Sequence, residues 1–193
     1  MTKFDVFTPE NAPEKSRPLL KGVQEKLGFV PNVVGAMAES PATLKSWLDL
    51  KTNIEGGLLN LTERKIVHMT TSYLHNSGYC MAAGSTLAEK EGVDREIIDH
   101  LREEKPLKDQ KLEQLRLFAR AVLTRMGRPD DADIEAIRKA GYTNAQILEV
   151  ILIISHGIMG NYVNHIVGVQ LDKEFEARRF EERKVKVRMS DAA

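Results

Sequence analysis

The chain has 193 residues, of which 42% are hydrophobic and 29% charged, and its 28 basic residues balance its 28 acidic ones to a formal net charge of +0. This composition is typical of a water-soluble globular protein. The balanced charge argues against nucleic acid or an anionic membrane surface as a partner. The N-terminus carries no apolar signal core, and the apolar run from Ile147 to Met159 is too short to span a bilayer. We therefore expect a cytoplasmic protein with no membrane and no nucleic-acid partner.

Two helices are predicted in the first third of the chain. Leucine and valine recur at intervals of three and four residues between positions 19 and 27, and Gly28 follows as a C-terminal cap. Ser40 and the proline after it are an N-cap and a first helical residue, and this second helix ends at a glycine pair, 56–57. Trp47, the only tryptophan, lies on its buried stripe and is expected to be a core residue.

The next pair of helices carries the only cysteine. Asn60 and Thr62 offer N-caps for a helix that runs to about Asn76. A break is predicted at residues 76–78, and the second helix opens on Cys80. A lone cysteine excludes an intramolecular disulfide and a self-contained dithiol cycle, and it fits a reducing compartment.

The rest of the chain continues the helical pattern. Helices are predicted over 93–101, 108–126 and 130–140, and a last one is capped by Thr143 and continues towards Val167. The last helix is apolar nearly all round in its first half, which predicts a central position or a subunit interface. No strand pair is recognisable, so the predicted fold is all-α. From Phe175 onwards the charged sequence is predicted to be solvated, with a disordered tail over 181–193.

A weak internal repeat is visible at an offset of 81 residues. It superposes Leu61-Thr62 on Tyr142-Thr143, Ile66 on Ile147 and His75 on His156. Two similar helical lobes are therefore an alternative organisation of the all-α fold.

Several short motifs resemble one protein family. They are Leu61-Thr-Glu-Arg64, Asn76-x-x-Tyr-Cys80, Gly28-Phe-Val-Pro-Asn32, Leu148-Glu-Val150 and Asn161-Tyr-x-Asn-His-Ile166. Together they resemble the carboxymuconolactone decarboxylase and AhpD-like alkylhydroperoxidase superfamily over most of the chain. The resemblance implies one AhpD-like helical bundle over residues 1–180, with its core motif at 61–90.

The resemblance also implies a site. In the thiol peroxidases of the superfamily, a Cys-x-x-Cys at a helix start is served by a Glu on the preceding helix and a His one turn later. The second Cys falls on Cys80, the first on Ser77, the His on Gly84 and the Glu on Lys65. One of four signature residues survives, so the implied activity is that of a peroxiredoxin-type thiol peroxidase with a single cysteine, weakened or lost.

The residues themselves support the same chemistry. A thiol in the first turn of a helix faces unpaired N–H groups and the positive end of the helix dipole, which favour the reactive thiolate. The alternative is that Cys80 is a small buried apolar residue. Ser77 is placed to hydrogen-bond the sulfur, but it cannot resolve a sulfenic acid. Turnover on a small-molecule peroxide would therefore need an external thiol reductant or the Cys80 of a second subunit.

His68 is the candidate base. It lies one turn beyond Lys65 on the same helix face, and the Lys65 ammonium would itself lower a nearby thiol pKa. A half-exposed surface histidine is the alternative interpretation of His68.

Two rival functions remain open. A decarboxylase-like enzyme on a small lactone or acid would use Glu149, a carboxylate within an apolar run, and His165 as acid and base. A non-catalytic, homo-oligomeric binding protein would use the apolar last helix as its interface. The histidines have no close metal-ligand spacing, and no phosphate-binding loop occurs, so no metal and no cofactor are expected.

Overall fold

The computed structural model describes residues 4–183. Within this range the chain is all-α, as predicted, and contains no β-strand. The helices are Arg17–Leu27 (α1), Asn32–Met37 (α2), Pro41–Glu55 (α3), Leu61–Leu74 (α4), Gly78–Lys90 (α5), Arg95–Glu103 (α6), Gln110–Thr124 (α7), Asp131–Lys139 (α8) and Asn144–Val167 (α9), with short 3-10 helices at Glu14–Ser16 and Lys173–Arg178.

Local capping explains most of the helix boundaries. Ser40 accepts a hydrogen bond from the amide of Thr43 at the start of α3. Asn60 and Glu63 form a reciprocal capping box at the start of α4, and Thr143 heads an equivalent box on α9. Each box satisfies two backbone amides that the helix itself leaves unpaired. The predicted starts of these three helices are therefore confirmed.

The turn between α4 and α5 is short because Asn76 takes a left-handed conformation, with φ of 53°. Asparagine tolerates this region better than most residues. Ser77 then caps α5 by accepting a hydrogen bond from the amide of Cys80 at 3.3 Å. Cys80 is consequently the third residue of α5, within its first turn.

Two apolar clusters hold the bundle together. The larger lies among α4, α6, α7, α8 and α9, and the smaller joins α1, α2 and α3 to α5 and the segment after α9. Each fully buried leucine, isoleucine or methionine contributes about 1.5–3 kcal/mol from burial. Met81 belongs to the larger cluster and Cys80 to the smaller, so α5 separates the two.

The last helix, α9, is the central element. It packs against α3, α4 and α2. Its length and a mean hydropathy of 1.4 would suit a membrane span, but half of that apolar window is buried inside the bundle. The buried half of the window packs against the neighbouring helices. One face remains open, with Leu148 70%, Tyr162 51% and Ile166 69% exposed.

The segment after α9 departs from the sequence prediction. Phe175 was expected to begin a solvated region, but it is 1% exposed and packs edge-on against Phe29 and Tyr79. Aromatic burial therefore outweighs the charge of its neighbours. Within the predicted disordered tail, 181–193, Glu182 contacts the start of α5 and Arg183 contacts the α4–α5 turn, whereas residues 184–193 lie outside the described residues.

The proposed repeat is only approximate in three dimensions. The 81-residue offset places the break found at Ser77 onto Ile158, yet α9 runs unbroken through that position. The two apolar clusters also share α9, so they do not correspond to two separate lobes.

Candidate functional site

Cys80 lies in the smaller apolar cluster and is 8% exposed. Burial raises the pKa of its thiol to about 11, a hydrogen bond involving Ser77 opposes the rise, and the negative charge of Glu182 adds to it. No imidazole is among the groups that shift this pKa. In this conformation the sulfur is a protonated thiol at neutral pH.

Ser77 supports the cysteine from the N-cap of α5. It is fully buried, and its Oγ accepts hydrogen bonds from the amide of Cys80 at 3.3 Å and from Nδ2 of Asn164 at 3.5 Å. Ser77 therefore joins the start of α5 to the end of α9. The structure brings the predicted pair Ser77 and Cys80 together at one helix end.

His68 lies against α5 one turn beyond the cysteine. A Cβ added to Gly84 would stand 3.5 Å from Nδ1 of His68. Gly84 is four residues after Cys80, so both lie on the same side of α5. An imidazole from α4 therefore lies beside position 84, the position at which the resemblance implies a histidine.

His68 belongs to an aromatic stack that includes Trp47. The His156 ring stacks on Trp47 with centroids 4.5 Å apart, and His68 follows at 5.9 Å from His156. Burial, with the charge of Lys65, lowers the pKa of His68 to about 4. Burial, with the proximity of His68, lowers the pKa of His156 to about 3. Both rings are neutral at pH 7 and can exchange hydrogen bonds without carrying charge.

A row of buried polar atoms follows this stack towards Ser77. Four of them have no hydrogen-bond partner within the described residues: Trp47 Nε1, His156 Nε2, Asn161 Nδ2 and Asn164 Oδ1. Asn161 Oδ1 accepts a 3.5 Å hydrogen bond from Ser72 on α4. Buried polar groups need partners, so this interface between α3, α4, α5 and α9 is the place where a small polar molecule would find hydrogen bonds.

Lys65 does not serve the cysteine. Its Nζ pairs with Glu91 at 2.9 Å, and burial lowers its pKa. Glu91 lies just beyond the far end of α5, about 16 Å along the axis from Cys80 at a rise of about 1.5 Å per residue. The predicted effect of the Lys65 ammonium on the thiol therefore has no support in the geometry.

Glu149 has a structural partner instead of a substrate pocket. Its carboxylate accepts hydrogen bonds from the amide of Leu58 at 2.8 and 2.9 Å and from the amide of Leu59 at 3.0 Å. Gly57 permits this approach, since a Cβ there would stand 2.8 Å from Oε2. Glu149 thus fastens the α3–α4 loop to α9.

His165 lies at the opposite end of α9 and is exposed to solvent. It is separated from Glu149 by 16 residues, or about 24 Å along the helix axis. The structure does not bring these two predicted residues together, so one chain cannot use them as an acid–base pair on one small substrate.

The comparisons with known proteins bear on the fold. No family model and no curated protein matches the chain. Solved structures do. A peroxidase-related protein from Ralstonia eutropha JMP134, described as an alkylhydroperoxidase AhpD core, superposes with a TM-score of 0.81 at 21% identity, over 94% of this chain and 98% of its own. The chain has the AhpD fold.

Two further solved structures share the AhpD fold with this chain. An uncharacterised peroxidase-related protein from Silicibacter sp. TM1040 superposes with a TM-score of 0.77 at 21% identity, over 92% of this chain and 95% of its own. The debrominase Bmp8 superposes with a TM-score of 0.78 at 19% identity, over 92% and 96%. At these identities the similarity establishes the fold alone, and any activity has to be argued from the residues of this chain.

Sequence reasoning missed three features of this AhpD-fold site. Trp47 packs against the smaller apolar cluster, as predicted for a core residue, but its stacking on His156 and its unpartnered indole nitrogen are not visible in the sequence. The i, i+3 spacing of Asn161 and Asn164 was a signal for a shared helix face turned to one neighbour. Glu182 lies 102 residues after Cys80, and nothing local in the sequence relates the two.

The site is fixed on one side by a buried hydrogen-bond network. The hydroxyl of Tyr79 donates to Asp172 at 2.6 Å, and the amide of Asn32 donates to the same carboxylate at 3.1 Å. Burial raises the pKa of Asp172, and its hydrogen bonds oppose the rise. This network ties the first turn of α5 to the start of α2 and to the segment after α9.

The described residues offer no cluster of metal ligands, and the cysteine is largely covered, at 8% exposed. Among residues 4–183, no three His, Cys, Asp or Glu side chains converge as metal ligands. A shallow groove of about 260 Å³ lies between α7 and α8, away from Cys80. Access to the sulfur therefore depends on movement of the segments that cover it.

Proposed function

We propose that this protein is a cytoplasmic, single-cysteine thiol oxidoreductase of the AhpD type, in which Cys80 reduces a small peroxide. The observation that carries the proposal is the position of Cys80 as the third residue of α5, with its amide held by Ser77 at 3.3 Å. Backbone N–H groups at a helix N-terminus favour a thiolate once water can reach the sulfur. AhpD-core and peroxidase-related neighbours support the same class of chemistry.

The reaction needs an outside thiol. The Cys80 thiolate attacks the distal oxygen of the peroxide, the O–O bond breaks, and an alcohol leaves as the sulfur becomes a sulfenic acid. One thiol reductant then forms a mixed disulfide with Cys80 and releases water. A second reductant thiol attacks that disulfide and restores the Cys80 thiol, so that two thiols are oxidised for each peroxide reduced.

The test is peroxide consumption by the full chain with excess dithiothreitol. We expect Cys80→Ser to fall to the background rate without protein. An unchanged rate in Cys80→Ser would overturn the proposal. No consumption by the native protein, even with Cys80 shown to be accessible to alkylating reagents, would favour the non-catalytic binding protein.

Restoring the second cysteine gives a sharper test. Ser77 stands where the superfamily has its resolving cysteine, and Ser77→Cys should form an intramolecular disulfide with Cys80 when peroxide is added. The matched control is Ser77→Ala, which loses the cap at a cost of about 1 kcal/mol but gains no thiol. If Ser77→Cys keeps two free thiols after peroxide treatment, Cys80 does not form a sulfenic acid.

A second candidate substrate is a brominated aromatic compound. The debrominase Bmp8 has the same fold, and a Cys→Ala variant of it was crystallised with 2,3,4-tribromopyrrole. A thiolate that takes Br⁺ from carbon becomes a sulfenyl bromide, the carbon takes a proton, and two reductant thiols restore the Cys80 thiol as bromide leaves. Bromide release from tribromopyrrole that exceeds the peroxide rate would favour this substrate.

We propose further that the protein works as a homo-oligomer. The open face of α9 carries Leu148, Tyr162 and Ile166 over about 27 Å and about five turns of helix. With Ile151, which is 41% exposed, the stripe is nearly symmetric about its midpoint, so an antiparallel second copy would cover all of it through a two-fold axis. The stripe is about one helix diameter wide and supplies about a third of the ~800 Å² that each partner buries in a standard interface. Flanking residues such as Leu58, 62% exposed, would supply part of the rest.

A further inference from the structure

The described part of the C-terminal segment, residues 179–183, crosses the N-terminal end of α5, and we call it the strap. Glu182 Oε1 accepts a 2.9 Å hydrogen bond from the amide of Gly78, the first residue of α5. A carboxylate therefore occupies the helix end that would otherwise stabilise a thiolate on Cys80, two residues further on.

The strap is held by a small set of contacts on the α4–α5 turn. The Asn76 side chain makes two hydrogen bonds with the backbone of Arg183, one donated to its carbonyl at 2.9 Å and one accepted from its amide at 2.8 Å. The Arg183 guanidinium lies 4.1 Å from the centroid of the Tyr73 ring and donates to the Tyr73 carbonyl at 2.6 Å. Arg102 donates to the carbonyl of residue 179 at 2.9 Å.

The fit depends on the absence of a side chain at position 78. A Cβ on Gly78 would stand 2.8 Å from the carbonyl oxygen of Phe180 and 2.9 Å from Cγ of Glu182. Real Cβ atoms do not approach other atoms this closely, so the strap and a side chain at position 78 exclude each other. Gly78 is thus a specific requirement for closure.

We propose that the strap is an autoinhibitory cover, and that Cys80 becomes reactive when residues 179–183 leave the end of α5. The inference rests on the proposed function, since it assumes that Cys80 is the reacting sulfur. Opening exposes the amide of Gly78 and removes a negative charge from the neighbourhood of the sulfur. Glu181, Glu182 and Arg183 are exposed, and the strap buries little apolar surface beyond Phe180, so it can open without unfolding the bundle.

The pKa of Cys80 agrees with this geometry. Burial raises it to about 11 in the closed structure, and Glu182 contributes to the rise. Release of the strap removes the charge of Glu182 from the thiol. It also admits water, which weakens the effect of burial on the thiol pKa. The pH midpoint of thiol alkylation should then move down from about 11 towards the ordinary thiol value of 9.0.

The test is the rate of Cys80 alkylation by iodoacetamide in the full chain at pH 8. Gly78→Ala should expel the strap by steric conflict, and Asn76→Gly should release it while keeping the left-handed turn, whose φ is 53°. We expect both variants to label at least tenfold faster than the native protein. Gly22→Ala, a helical glycine with open space around it, and Glu181→Gln, a charge change on the strap, are the matched controls and should stay within twofold.

Native rates in both Gly78→Ala and Asn76→Gly would overturn the inference. Urea below the unfolding transition separates strap opening from global unfolding, because a local opening exposes little surface and its rate should hardly depend on urea. A steep urea dependence of labelling in the variants would also overturn it. Fast labelling of the variants without peroxide consumption would support the inference about the strap and would count against the proposed function alone.

Discussion

The imidazole of His68 on α4 occupies the space beside Gly84 on α5, with Nδ1 3.5 Å from where a Cβ at position 84 would stand. Position 84 is where the resemblance to the superfamily implies a histidine. In this structure an imidazole lies next to the cysteine helix but comes from α4. Gly84 is thus a glycine inside a helix, where glycine is unfavourable by about 0.5–1 kcal/mol relative to alanine.

Gly84→Ala should therefore stabilise the protein by about 0.5–1 kcal/mol, because the new methyl group meets His68 at an ordinary contact distance. Urea unfolding measures the change. Gly157→Ala on α9 is the matched control, since its Cβ would stand 3.0 Å from Cγ2 of Thr71 and crowd the α4–α9 interface. Equal stabilisation by both substitutions would show that the room for a methyl group beside Gly84 does not determine the effect.

Stability should fall as the pH drops from about 6.5 to about 4. The pKa values of His68 and His156 lie below the ordinary histidine value of 6.5, at about 4 and about 3, so the unfolded chain takes up protons in this window while the folded chain does not. Each such group contributes a slope of up to about 1.4 kcal/mol per pH unit. Both contributions are fully present above pH 6.5 and are lost as the pH falls.

Urea unfolding at several pH values between 4 and 7 measures this slope. His68→Gln should reduce it, and the exposed His165→Gln should not. If the unfolding free energy of the native protein has the same slope against pH as that of His68→Gln, the His68 imidazole does not control acid stability.

Glu149→Ala should destabilise the protein by about 1–3 kcal/mol, because it leaves the amides of Leu58 and Leu59 without their acceptor. The alkylation rate of Cys80 should be unchanged. Glu135→Ala on the exposed face of α8 is the control and should change stability by less than about 0.5 kcal/mol. Decarboxylation lost in Glu149→Ala at full stability would instead support the rival enzyme.

Leu148→Glu and Ile166→Glu should each shift the protein towards monomer in sedimentation experiments, because a charge buried in an apolar interface has no partner. Leu117→Glu, an exposed leucine on α7, should leave the assembly unchanged. A native protein that is monomeric at all concentrations would disprove the homo-oligomer proposal.

The starts of the long helices could be predicted from sequence because their causes are local. Ser40, Asn60 and Thr143 each cap the helix that follows within three residues, so spacing alone reveals them. The burial of Phe175 and the strap could not be predicted in this way. Their contacts lie about a hundred residues away along the chain, and a charged composition gives no sign of them.

The chemical state of Cys80 shows the same limit. Its position in the first helical turn was correctly predicted and favours a thiolate by about 0.3–1 kcal/mol. Burial acts in the opposite direction and can shift a pKa by several units, so it decides the outcome. Periodicity gives the face of a helix on which a residue lies, but not how completely other segments cover it.

The Tyr79–Asp172 hydrogen bond gives the first turn of α5 two unequal sides. Towards α2 the turn is fixed by a buried phenol and carboxylate, 2.6 Å apart, whereas towards the strap it contacts the exposed carboxylate of Glu182, with Phe180 half-buried beside it. Thermal motion should therefore uncover the sulfur from one direction only. A peroxide would then approach Cys80 along the axis of α5, and the rest of the bundle would not need to rearrange.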